Sequence, residues 1–130
     1  MAKHKLTTSQ RRLQGLVRRH GTPTMAISRA ALKAQVALFR RHLPRVTPYY
    51  AIKANPHPEV LKVMAAAGVG FDVASIGEIS AALAAGASSD RLIYANTIKP
   101  AASIAAAVEQ GVDLMTFDSE QELDKIAENA

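Results

Sequence analysis

The feature that most restricts the fold of this chain is a repeat that begins after Val46. Short runs rich in strand formers stand at 49–53, 70–74, 92–95 and 112–117. Each is followed by a segment of helical period: PEVLKVMAAAG, IGEISAALAAG, PAASIAAAVEQG and SEQELDKIAENA. Each segment gathers its apolar residues on one face, and the first three end on glycine, the residue that most easily follows a helix C-cap. Strand and helix alternating at this spacing predict four units of parallel strands joined by right-handed crossovers. A doubly wound sheet and a closed eight-unit barrel both begin in this way, and period alone does not separate them. The dinucleotide fingerprint of the first is absent. No GxGxxG follows the first run, and GVGF at 68–71 leads into a strand instead of a helix. An eight-unit barrel needs about 250 residues. As a barrel, this α/β chain would supply the first half of a (β/α)8 TIM-type fold, about four βα units.

Upstream of the repeat, Leu13, Leu16 and Val17 recur at i, i+3 and i+4 within TSQRRLQGLVRR. This predicts an amphipathic helix over 8–19, capped by Thr8 or Ser9 and ending at Gly21. The apolar run 25–27 predicts a short strand. Leu32, Val36, Leu38, Phe39 and Leu43 then predict a helix from Ser28 to about Leu43, stopped by Pro44. The chain divides into a basic helical amino-terminal segment, 1–22, and the incomplete barrel, 23–130.

Charge is split along the chain. The first acidic residue is Glu59; 12 Lys and Arg precede it, whereas from Glu59 onward 4 Lys and Arg face 11 Asp and Glu. Such a split suits either a phosphate-binding end or two segments that face each other. The cluster Arg11, Arg12, Arg18 and Arg19 reads as a solvated helix face. With 3 Tyr, 3 Phe and no Trp, the stacking platform of single-strand nucleic-acid binders is missing, and nucleic acid is not an expected partner. No stretch approaches the roughly 20 apolar residues of a bilayer span, and no apolar block follows the basic amino terminus as a secretory signal requires. A cytoplasmic protein without membrane contact is expected. The absence of cysteine excludes disulfides, thiolate metal sites and a cysteine nucleophile within this chain, and no metal centre is expected.

Three residues carry candidate chemistry. Lys53 ends the run YYAIKA, where a lysine is ordinarily an exposed edge residue. The alternative is an amine lining a cavity at the carboxyl end of a barrel strand, where the active sites of this architecture gather. Alternation then puts Tyr49, Ala51 and Lys53 on one face. Asp72, in GFDVAS, shares a face with Gly70 and Ala74, small residues that suggest space kept open beside a carboxylate. Glu78 begins the next helix, a place that the helix dipole alone favours for an acid, so a structural role stands beside a functional one.

The segment PRVTPYYAIKAN, 44–55, resembles the cofactor-lysine segment of the ornithine decarboxylase branch of the fold-type III, alanine racemase-like barrel family of pyridoxal-phosphate-dependent decarboxylases. The resemblance continues through GVGFDVASIGEI at 68–79, RLIYANTIKP at 91–100 and LMTFDSEQEL at 114–123, over roughly 22–130. It implies pyridoxal 5′-phosphate as cofactor, held covalently through Lys53, with Asp72 and Glu78 at the family's acidic positions around it. It also implies decarboxylation of a basic amino acid, ornithine in polyamine biosynthesis before lysine, arginine or diaminopimelate, by a homodimer of complete chains. The family's glycine-rich phosphate loop, its acidic partner of the pyridine nitrogen and its carboxyl-terminal sheet domain have no counterpart in these 130 residues, so the chain reads as a fragment, inactive alone. A reading of another class is a non-catalytic barrel relative that regulates a protein partner. Such a relative has no chemical need for both Lys53 and Asp72.

Overall fold

The computed structural model describes residues 7–130, so the first six residues of the basic segment lie outside the described residues. Two helices come first, α1 (Thr8–His20) and α2 (Arg29–His42). The repeat follows as β1 (Tyr49–Ala51), α3 (Pro58–Ala66), β2 (Gly70–Val73), α4 (Ile76–Ala84), β3 (Leu92–Tyr94), α5 (Ala101–Glu109) and α6 (Glu120–Asn129). Short 3-10 turns, Ile52–Ala54 and Ser89–Arg91, follow β1 and precede β3.

The strands form one parallel sheet in the order β1-β2-β3. Tyr50 lies opposite Phe71 and Ala51 opposite Asp72; across the other edge of β2, Asp72 lies opposite Ile93 and Val73 opposite Tyr94. The doubly wound order 3-2-1-4-5-6 puts the fourth strand beside the first, whereas here the fourth run bridges β3 through Met115 and Tyr94. One sheet face is buried. Phe71, Val73, Leu92 and Tyr94 pack with Leu61 and Met64 of α3, Ile79 and Ala82 of α4 and Ala107 of α5, and Leu32 and Val36 of α2 lean on the same core. The helices therefore cover a single face, as the outer ring of a barrel does. By alternation, Tyr49, Ala51, Asp72 and Ile93 belong to the opposite, inner face.

The local reasons are legible. Val, Ile, Phe and Tyr supply the strands, and Ala-rich segments with no internal glycine beyond the first turn supply α2, α3, α4 and α5. Gly68, Gly86 and Gly111 follow α3, α4 and α5 with φ of 67°, 94° and 76°, the left-handed turn that sends the chain back toward the sheet.

Three expectations are corrected. The run 25–27 forms no strand, because no neighbouring strand offers it a ladder; Met25 and Ile27 are exposed, Met25 at 83%. The run 112–117 is reduced to one parallel bridge between Met115 and Tyr94, with Tyr94 N–H donating to the Leu114 carbonyl (2.9 Å) and Thr116 N–H to the Tyr94 carbonyl (3.1 Å). It is bonded on one side only. Finally, α1 is capped one residue earlier, by Thr7: the Gln10 N–H donates to Thr7 Oγ1 (3.2 Å) and the Thr7 N–H to Gln10 Oε1 (2.8 Å), a reciprocal box. No residue of α1 is buried, and Arg11, Arg12, Arg18 and Arg19 are all exposed. Among the described residues, no helix is long and apolar enough to cross a membrane, and no group of three or more His, Cys, Asp or Glu could hold a metal ion.

Candidate functional site

Lys53 does not end β1 as the alternation expects. The strand stops at Ala51, and the chain tightens into the turn Ile52–Ala54, closed by the Asn55 N–H donating to the Ile52 carbonyl (3.1 Å). Ile52 is wholly buried and anchors the turn, while Lys53 and Ala54 face solvent. A second tie comes from Tyr50. Its ring packs edge-on to Phe71, with centroids 6.3 Å apart, and its hydroxyl donates to the Asn55 carbonyl (3.3 Å). Burial pushes the Tyr50 phenol above its usual range, so it stays a donor. Asn55 Oδ1 accepts from the His57 N–H (3.0 Å), and His57 Nδ1 from the Glu59 N–H (3.2 Å), which starts α3. YYAIKAN thus spends Tyr50, Ile52 and Asn55 on fixing a turn whose exposed member is a lysine.

Asp72 sits half-buried in the central strand, between Ala51 and Ile93. Gly70, expected to leave space beside it, leaves none: a Cβ there would lie 2.7 Å from the Tyr49 ring and 2.9 Å from the Arg91 carbonyl oxygen. The glycine admits Tyr49. Ala74, beyond the end of β2, is exposed. Glu78 is half-buried in the first turn of α4. Its Oε2 accepts from the Ala74 N–H (2.7 Å), and its own N–H donates to Ser75 Oγ (3.3 Å), so one carboxylate oxygen ties α4 to the end of β2.

Parallel pairing brings all three residues to the carboxyl side of β1 and β2. It does not bond them to one another: the side chains of Lys53 and Asp72 make no hydrogen bond or ion pair among the described residues. A hollow of about 280 Å³ lies between Met25–Leu32 and the start of α3, and one of about 290 Å³ between α2 and β1. Lys53 and Asp72 line neither.

A further cluster escaped the sequence reading. Lys99 and Glu122, 23 residues apart, are the buried charged residues of the described chain, 0% and 3% exposed. Lys99 Nζ lies 2.9 Å from Glu122 Oε1 and donates to the carbonyls of Asn96 (3.0 Å) and Thr116 (2.6 Å). Glu122 Oε1 also accepts the Lys99 N–H (3.0 Å), and Lys125 Nζ lies 2.5 Å from Oε2. The hydrogen bond from Lys125 lowers the Glu122 carboxyl to about 2 against the opposing effect of burial, with Lys99 adding to the lowering. The one visible signal was the S-x-x-E capping spacing of Ser119 and Glu122, which predicts a helix start and no lysine partner.

Residues 29–130 match the family model of the pyridoxal-dependent decarboxylase, pyridoxal binding domain. The lysine/ornithine decarboxylase of Selenomonas ruminantium is 40% identical over 119 residues, which cover 92% of this chain and 30% of the relative. Antizyme inhibitor 2 of Xenopus laevis is 45% identical over 89 residues, 68% of this chain and 20% of that protein. Among solved structures, lysine decarboxylase from Selenomonas ruminantium superposes with a TM-score of 0.86 at 36% identity, covering 99% of this chain and 33% of the other. The chain spans a third or less of the length of these relatives. Its residues fit one end of a pyridoxal group: an amine that has no ionic partner among the described residues, on an anchored turn, and a half-buried carboxylate on the neighbouring strand.

Proposed function

Since the chain belongs to the pyridoxal-dependent decarboxylases, whose pyridoxal-binding domain model matches residues 29–130, we propose that it is the amino-terminal part of an enzyme that decarboxylates a basic amino acid, ornithine before lysine, arginine or diaminopimelate. The observation that carries the reading is the turn after β1, which buries Ile52, pins Asn55 to Tyr50 and leaves the Lys53 amine uncommitted. When bound, pyridoxal 5′-phosphate supplies an electron sink for the charge left as carbon dioxide departs. Lys53 would hold that cofactor covalently through its side-chain amine, and the same amine would displace the product. Asp72 places a negative charge on the inner face beside it, and Glu78 fixes the end of β2 with one oxygen while keeping the other for the site. Polyamine synthesis by a cytoplasmic homodimer of complete chains, with 23–130 as the barrel part, belongs to the same reading and rests on the resemblance alone.

Likeness to antizyme inhibitor 2 favours one other reading, a barrel relative that acts by binding a protein. Retention of both Lys53 and Asp72 speaks for the enzyme. The test is carbon dioxide release by the complete enzyme from ornithine, lysine, arginine and diaminopimelate with added pyridoxal 5′-phosphate. Turnover fastest on ornithine is expected, and none from the 130 residues alone, which lack the phosphate loop. No turnover on any substrate by the complete enzyme contradicts the proposal, and preference for another of the four corrects the substrate.

A further inference from the structure

A buried ammonium is expensive, and an apolar side chain of similar volume often fills such a place at no loss of stability. What Lys99 adds is a point at which three separate parts of the chain meet. Asn96 lies two residues beyond β3, Thr116 one residue beyond the bridge at Met115, and Glu122 in the first turn of α6; the Lys99 ammonium faces an oxygen of each. The lysine loop is also held through its backbone, since the Lys99 N–H donates to the same Glu122 oxygen. Glu122 is fastened in turn by Lys125, and the Tyr94 ring closes the far side, with its centroid 5.8 Å from Nζ. Every buried side-chain polar atom among the described residues has a hydrogen-bond partner, so the cluster is complete. The tie extends one step further. The Ala95 N–H, next to Asn96, donates to the Val73 carbonyl (2.8 Å), at the end of β2 and one residue from Asp72.

We propose that Lys99 is a positioning residue for the cofactor site: it sets the separation of the carboxyl ends of β3 and the 114–116 segment, and through Ala95 and Val73 the end of β2 that carries Asp72. This deepens the functional reading above and rests on it. A side chain that only held the fold together would act through stability. A positioning side chain shows itself in cofactor affinity at constant stability.

Three variants of the complete enzyme separate the two roles. Lys99→Met leaves Glu122 buried beside an apolar group and lowers both stability and affinity. Lys99→Met with Glu122→Gln removes both charges, while the amide oxygen keeps the bond from the backbone N–H at position 99; its urea midpoint recovers toward that of the unaltered enzyme. In that double variant the dissociation constant for pyridoxal 5′-phosphate, read by absorbance titration, is expected to stay raised about tenfold, a coupling ordinary for residues that share one network. Recovery of affinity together with stability overturns the positioning role. Lys99→Arg keeps the charge but spreads its donors over a planar fork, so it displaces the two carbonyls without leaving Glu122 unpaired. It should weaken cofactor binding severalfold in a folded protein, and should the double variant be insoluble, unchanged affinity in Lys99→Arg overturns the proposal by itself. Absence of pyridoxal 5′-phosphate binding by the unaltered enzyme overturns the functional reading, and this inference with it.

Discussion

Glu122 lies between two ammonium groups, and its carboxyl titrates near 2 in the folded chain against an ordinary value of 4.5. A lowered folded value means that the unfolded chain takes up this proton first as pH falls. The stability that Glu122 contributes is thus fully present above about pH 4.5 and is lost progressively down to about pH 2. Glu122→Gln should be less stable at pH 7, because Lys99 loses its counter-charge, and its stability should vary less between pH 4.5 and 2 than that of the unaltered protein. Urea unfolding across that range checks both; parallel pH profiles would mean that the carboxylate is not held by its partners. Tyr50 and Gly70 show the same economy of local causes. One fixes the lysine turn through Asn55, and the other is small because Tyr49 occupies the space.

Among the elements, the three glycines that close α3, α4 and α5 are alike in φ but not in surroundings. A Cβ on Gly86 meets nothing within 4 Å, whereas one on Gly111 lies 2.8 Å from Ser89 Oγ. Gly86→Ala should therefore cost about 1 kcal/mol for the left-handed backbone alone, and Gly111→Ala more, unless Ser89 turns aside. Equal unfolding free energies for the two variants would show that the contact is relieved. The same glycines made α3, α4 and α5 legible in the sequence, because helix period and a left-handed stop agree on where each helix ends. The strands at 70–73 and 92–94 were legible because their apolar residues alternate onto one buried face. The runs 25–27 and 112–117 were not. An apolar run becomes a strand only where a neighbour supplies its ladder, and that neighbour is not written in the run. Lys53 in a turn and Lys99 in the core escaped for a related reason: the first depends on a tyrosine–asparagine tie across the turn, the second on a carboxylate 23 residues away.

At the scale of the whole molecule, the helices guard one face of a parallel sheet and the other face carries Tyr49, Ala51, Asp72 and Ile93 without a covering layer among the described residues. Parallel sheets ordinarily have both faces covered, and in a barrel the opposite strands fill the inner one. The charge split follows the same geometry. The basic residues of α1 and α2 precede β1 at one edge of the sheet, and the acidic residues of α6 follow the 114–116 segment at the other. The functional reading turns on Lys53, in the turn that follows β1. Reduction of the complete enzyme with borohydride in the presence of pyridoxal 5′-phosphate, followed by peptide mapping, tests it most directly. A single modified peptide carrying the label on Lys53 is expected. Label on any other residue, or an unlabelled Lys53 in protein that retains its cofactor, would contradict it.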